Sequence, residues 1–177
     1  HKELISILNE LPLSHVFFLS SSAVYGTLKS VYTETDSCVP VSIYGQSKLR
    51  TEILYQNYCK HVLSLLRLGN FIGYDAIGAE LKAKGHAGIV VDKRGKSAKR
   101  SYVDSNVFTT AFRILSVERA AGIYNIGMRE PEEMLKAYKT RNYDVRSVIV
   151  QDFVPRDIVM DTTKLWNLIE ADIANTL

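Results

Sequence analysis

Tyr44 and Lys48 stand four residues apart in the run Tyr44-Gly45-Gln46-Ser47-Lys48. On a helix that spacing puts both side chains on one face. A free phenol, with a pKa of about 10, is a poor base at neutral pH. A neighbouring ammonium favours the phenolate and lowers that value. A serine hydroxyl set opposite hydrogen-bonds the same substrate oxygen. Such a Ser/Tyr/Lys trio moves a proton to or from a carbinol while a hydride leaves or arrives on its carbon. The pair alone is weak evidence, because surface helices also lay a Tyr on a Lys stem without any chemistry.

The elements around the pair decide how much it means. Residues 3–11 carry Leu4, Ile5, Leu8 and Leu11 at helical spacing, and Pro12 ends the pattern. His15 to Ser20 is a short apolar run without alternation, as in a strand buried on both faces. It exits into the small residues Ser21, Ser22 and Ala23. Residues 27–41 read as a loop. Tyr44 to Tyr58 reads as a helix with Leu49, Ile53 and Leu54 on its apolar side. Val62 to Leu68 is a second buried strand. Beyond it the order is less regular: helices over 78–84, 106–117 and 163–170, strands over 89–91, 123–126 and 145–150. Helix and strand alternate as in a doubly wound α/β sheet.

Composition narrows the field. The 177 residues are 46% hydrophobic and 23% charged, a globular balance. No run approaches the roughly 18 apolar residues of a membrane-spanning helix. Lys and Arg total 22 against 19 Asp and Glu, and a net charge of +3 is too mild to imply nucleic-acid binding. The basic cluster Lys93, Arg94, Lys96, Lys99 and Arg100 has no interleaved aromatic residue, which weakens it as a stacking platform. Cys38 and Cys59 read as reduced thiols in a cytoplasmic protein. His1, His15, His61 and His86 form no pair with metal-ligand spacing. Of the ten tyrosines, those other than Tyr25 and Tyr44 read as amphipathic surface, and Trp166 as packing.

The strand exit Leu19-Ser20-Ser21-Ser22-Ala23-Val24-Tyr25-Gly26 is followed by Glu34, Pro40, the Tyr44–Lys48 run and Glu52. The next strand ends in Arg67-Leu68-Gly69-Asn70-Phe71-Ile72-Gly73. This series resembles the extended short-chain dehydrogenase/reductase family, the NAD-dependent epimerases and dehydratases that act on nucleotide sugars. The resemblance is specific from about residue 13 to residue 73 and looser to the end. It implies the C-terminal part of a Rossmann-like doubly wound parallel sheet plus a small α/β substrate-binding region. The division expected is 1–73 for the catalytic portion and 74–177 for a mixed, mostly substrate-binding region, with a late sheet strand returning near 100–127.

Carried over by position, the resemblance makes Tyr44 the catalytic acid/base and Lys48 its partner, which also bonds the nicotinamide ribose. Ser21, three residues before Val24, matches the catalytic Ser or Thr, with Ser22 as the alternative and a substrate contact. Gly69 and Asn70 match the loop that meets nicotinamide and substrate. Arg100 resembles the Arg that grips a sugar-nucleotide pyrophosphate, a task suited to a guanidinium by its bidentate geometry; a solvated basic loop is the alternative. Gly122 to Gly127 resembles a late strand. Val154-Pro155-Arg156 and the following Asp161 to Leu165 resemble the closing segment, from which Arg156 would reach a substrate phosphate. The implied cofactor is NAD or NADP, the partner a nucleotide-diphosphate sugar, and the full-length assembly a homodimer.

Two departures shape the expectation. No G-x-x-G-x-x-G or G-x-G-x-x-G turn is present to hold a cofactor pyrophosphate. The chain also begins at His1 and enters a helix at once, so a preceding portion is expected to be absent, and residues 1–177 alone are expected to bind NAD poorly. Secondly, the positions after Ser21 hold Ser22 and Ala23, where 4,6-dehydratases and decarboxylases of the family need an acid and fucose-synthase types a Cys. That favours 4-epimerisation or carbonyl reduction. The rival reading is a non-catalytic Rossmann-like protein that binds a nucleotide, RNA or protein. A chain that folds without activity of its own is the blander third.

Overall fold

A computed structural model describes residues 1–154 and 156–176. Helix α1 (Lys2–Glu10) buries Ile5 and ends before Pro12. Strand β1 (Val16–Ser21) leads into a single 3₁₀ turn, Ser22–Val24. The segment to the next helix includes a two-residue strand, β2 (Val31–Tyr32). Helix α2 (Ile43–Tyr58) starts at Ser42, whose side chain accepts a hydrogen bond from Gly45 N, satisfying one of the free amides of the first turn.

Strands β3 (Leu63–Leu68) and β4 (Asn70–Phe71) follow, then helix α3 (Ala76–Lys84), capped by Asp75 at one end and by Gly85 in a left-handed conformation at the other. Next come β5 (Ala87–Val91), β6 (Lys99–Arg100), β7 (Tyr102–Val103), α4 (Ser105–Val117) and β8 (Gly122–Ile126). The chain closes with β9 (Glu132–Glu133), α5 (Met134–Lys139), β10 (Val145–Ile149), β11 (Val159–Met160) and α6 (Thr163–Thr176).

The main sheet is parallel, in the order β1-β3-β8. Its register pairs Ser21 with Leu68, and Leu68 with Ile126, so the carboxyl ends of all three strands finish together. Alternate residues go to opposite faces. Val16, Phe18 and Leu65 pack with Ile5 and Tyr55 under α1 and α2. Leu66, Tyr124 and Ile126 pack with Ala111, Leu115 and Leu165 under α4 and α6. Both faces are therefore covered by helices, which is why the strands are largely apolar and lack a polar face. β5 and β10 form a separate parallel pair packed against α3 and α5, with Ile89, Ala137 and Tyr138 at its centre.

Three expectations change here. Ile53 is not on the packed side of α2: it is half exposed, and Thr51, Glu52 and Tyr55 are buried instead. A carboxylate occupies that face because Arg67 pairs with it. Tyr32, Tyr55, Tyr102, Tyr124 and Tyr138 are buried and not amphipathic surface. Helix α5 and the short strands β2, β4, β6, β7, β9 and β11 lie where the sequence suggested irregular chain; most are two-residue pairings that no periodicity reveals. No helix among the described residues is long and apolar enough to cross a membrane.

Candidate active site

The carboxyl ends of β1 and β3, the start of α2 and the β6–β7 segment border one cleft of about 1220 Å³. Ligands of open α/β sheets bind at this end of the strands. Ser21, Ser22, Tyr44, Gly69, Asn70 and Arg100 all line it. The fold brings these six together from four separate stretches of chain.

Ser21 closes β1, and its Oγ accepts a 3.2 Å hydrogen bond from Ala23 N at the 3₁₀ turn. That contact uses a lone pair and leaves the hydroxyl proton free to donate. Tyr44 is 56% exposed, so its phenol is open to a ligand. Lys48 lies a turn further along α2 and does not line the cleft itself. Its Nζ donates to the Leu19 carbonyl at 2.8 Å and lies 5.8 Å from the centre of the Tyr44 ring. The ammonium is thus held beside the phenol and the end of β1.

Gly69 is a close-approach position. Its N–H donates to the Ile126 carbonyl at 2.9 Å, and a Cβ there would fall 2.6 Å from the Ser101 carbonyl oxygen. Asn70 N donates to that same carbonyl at 2.9 Å, and its side-chain amide donates to Asp75 at 3.3 Å. Arg100 donates to the carbonyls of Lys99 (2.7 Å) and Arg156 (2.8 Å). Burial lowers its pKa, and no carboxylate lies within ion-pair distance of it among the described residues. An anion in the cleft would add to the partial compensation that Asp157 gives it from beyond ion-pair distance. Arg156 enters only through its carbonyl: it is exposed, and its side chain is not among the groups bordering the cleft. Pro155, next to it in the same motif, lies outside the described residues.

Sequence reasoning passed over several groups here. Tyr102 lines the cleft with a buried hydroxyl that has no hydrogen-bond partner among the described residues, and burial together with the nearby Asp75 raises its pKa. Asp75 caps α3 through Gly78 N and accepts from the Tyr138 hydroxyl. Arg141 also lines the cleft and pairs with Glu132 at 2.9 Å. Their motifs carry no spacing signal, and only folding joins residues 70–75 to 102 and 138–141.

Directly beneath the Ser20–Ser22 strand end is a buried polar network. Arg67 donates to both Glu52 oxygens (Nε 3.1 Å, Nη2 2.8 Å), to the Tyr25 hydroxyl at 3.0 Å and to the Glu34 carbonyl at 3.3 Å. Ser20 Oγ donates to Glu52, and Tyr25 donates to Asn125 at 2.6 Å. Asn125 N in turn donates to the Glu34 carboxylate at 2.9 Å. Burial opposes the Arg67 charge, but the bonds to Glu52 and Tyr25 outweigh it and raise its pKa. Burial pushes Tyr25 up to about 12, against the pull of Arg67.

A doubly wound parallel sheet with a cleft at its carboxyl end, bordered by a hydroxyl and a phenol beside an ammonium, defines a Rossmann-like protein. The model of the NAD dependent epimerase/dehydratase family matches residues 1–127, and the chain belongs to that family. No curated sequence matches it. Among solved structures, MoeE5 in complex with UDP-glucuronic acid and NAD superposes with a TM-score of 0.76 at 18% identity, covering 96% of this chain and 62% of that one. UDP-glucuronic acid 4-epimerase from Bacillus cereus, in complex with UDP-glucuronic acid and NAD, gives 0.70 at 18% identity over 96% and 59%. dTDP-glucose 4,6-dehydratase from Bacillus anthracis str. Ames, in complex with NAD, gives 0.70 at 18% over 94% and 59%. The chain thus spans about three fifths of the length of these relatives in fold.

Proposed function

We propose that the protein carrying this chain is an NAD(P)-dependent epimerase or reductase of a nucleotide-diphosphate sugar, with Tyr44 as the proton acid/base. The observation that carries this is the convergence of Ser21 and Tyr44 on one cleft, with the Lys48 ammonium beside them. Residues 1–73 would then supply the chemistry and residues 74–177 most of the sugar-nucleotide contacts.

The donor set suits the nicotinamide-ribose end of such a cofactor: the Lys48 ammonium and Tyr44 phenol for ribose hydroxyls, and the Gly69 backbone at the ring. Residues 1–177 contain no Gly-rich turn for its pyrophosphate. When bound, the cofactor accepts a hydride from the sugar carbon or delivers one to it. Tyr44 Oη takes the carbinol proton as the carbonyl forms and returns it when the carbonyl is reduced. Lys48 stabilises the phenolate that exists before Tyr44 takes the proton and again after it returns it. Ser21 donates its free hydroxyl proton to the same sugar oxygen. Ser22 and Asn70 orient the sugar, and Arg100 binds the diphosphate.

Ser22 and Ala23 offer no acid beyond Ser21, which supports epimerisation or simple reduction over 4,6-dehydration. UDP-glucuronic acid and UDP-glucose, the ligands in the MoeE5 complexes, are the first substrates to try. The free thiols Cys38 and Cys59 are consistent with a cytoplasmic protein, and a homodimer is the expected assembly. The test is incubation of the full-length protein with NAD and, separately, UDP-glucuronic acid, UDP-glucose and dTDP-glucose, with products read by NMR. A 4-epimer supports the proposal; the reductase arm is tested separately with NAD(P)H and a 4-keto nucleotide sugar, and supported by the reduced sugar. A 4-keto-6-deoxy product would overturn the choice of reaction, and no conversion of any of the three would overturn the proposed activity on these sugars.

A further inference from the structure

We propose that Ser20, Glu52 and Arg67 form a positioning device that sets the separation of Ser21 and Tyr44; this rests on the reading of those two as the reacting groups. Glu52 is 1% exposed and its partner Arg67 4%. A buried ion pair contributes little net stability, because desolvation offsets the attraction, and apolar residues of similar volume do as well. Its value here lies in where its atoms are fixed.

Arg67 rises from β3 and is held by the Tyr25 hydroxyl and the Glu34 carbonyl as well as by Glu52. The Glu52 carboxylate therefore has one orientation. From it, Oε1 accepts the Ser20 hydroxyl proton. Ser20 is the residue immediately before Ser21 on β1, and Glu52 lies one turn beyond Lys48 and two beyond Tyr44 on α2. One turn nearer the cleft, Lys48 Nζ is bonded to the carbonyl of Leu19, the neighbouring residue of β1. A helix tied to a strand at one point can still roll about its axis. Two polar ties a turn apart, from successive residues of the strand, fix both its rotation and its position along that axis. The two reacting groups sit on these two elements, just past the ties. A displacement of about 1 Å between reacting groups costs roughly a hundredfold in rate.

Ser20→Ala removes the tie and leaves the Glu52–Arg67 pair in place. Ser64→Ala is the control: Ser64 is also buried, and at the opposite end of the sheet its hydroxyl donates to the Ala120 carbonyl and bonds His15 Nε2. Both variants are made in the full-length protein and assayed with NAD and the nucleotide sugar that is turned over. Each is expected to lower the melting temperature by a few degrees, through one lost buried hydrogen bond in Ser20→Ala and two in Ser64→Ala. Ser20→Ala is expected to lower kcat at least roughly tenfold, with KM and the NAD dissociation constant within about twofold. Ser64→Ala is expected to keep kcat. The proposal is overturned if Ser20→Ala keeps kcat, or if both variants lose it alike. Tyr44→Phe, run in parallel, separates the two levels: full turnover there would remove the chemistry itself, whereas an inactive Tyr44→Phe beside a fully active Ser20→Ala would remove only the positioning role.

Discussion

Gly45, in the first turn of α2, lies against the Ala23 carbonyl so closely that a Cβ on it would sit 2.3 Å from that oxygen. Helix α2 can therefore meet the end of β1 at this distance only without a side chain there. In an unconstrained helix interior, Gly to Ala stabilises by about 1 kcal/mol. Gly45→Ala is expected to do the reverse: it should lower the urea midpoint of the full-length protein and reduce turnover, because relief of the clash moves Tyr44 away from Ser21. A variant as stable and as active as the unmodified protein would show that the helix and strand end are not locked together.

Arg67→Ala leaves the Glu52 carboxylate buried without its partner. Losing one member of a buried pair costs about 3–5 kcal/mol. The variant is expected to unfold at a markedly lower urea concentration, with little change in the slope of the transition. A loss below about 1 kcal/mol, the range of surface pairs, would mean the site admits water freely.

Alkaline stability follows from the buried tyrosines. The Tyr25 phenol, shielded by burial, keeps its proton to about 12 in the folded chain. In the unfolded chain it releases the proton near a pH of about 10. Between those values the folded state binds more protons, so stability is complete below the lower one and falls as pH rises towards the upper. Tyr102 and Tyr138 shift in the same direction and add to the slope. Guanidinium melts at increasing pH should show a steep loss beginning near pH ~10, shallower in Tyr25→Phe. An identical slope in that variant would assign the loss elsewhere.

The main sheet was readable because its signal is local. Val16–Leu19 is an apolar run, and Leu63–Leu68 is mostly leucine, broken only by Ser64 and Arg67; neither shows the polar alternation of a half-exposed strand. The Tyr44–Lys48 spacing and the small residues after β1 pointed to the cleft for the same reason. The buried side of α2 was misjudged because Glu52 looks like a surface residue until Arg67, fifteen positions later, is folded onto it. Tyr102 and Arg141 were missed because they reach the cleft from segments with no motif of their own. Arg156 had a motif, yet only its carbonyl reaches the site, as a support for Arg100.

On the proposed mechanism Tyr44 carries the proton. General acid–base groups contribute about 10²–10⁴-fold in rate. The most direct measurement is kcat of Tyr44→Phe in the full-length protein, together with NAD affinity by fluorescence titration. The expected result is a loss of turnover of at least about a hundredfold with NAD binding changed by less than about threefold, because the phenol is one of several contacts to the cofactor but the sole proton carrier. Turnover within a few-fold of the unmodified protein, at unchanged NAD affinity, would contradict the assignment.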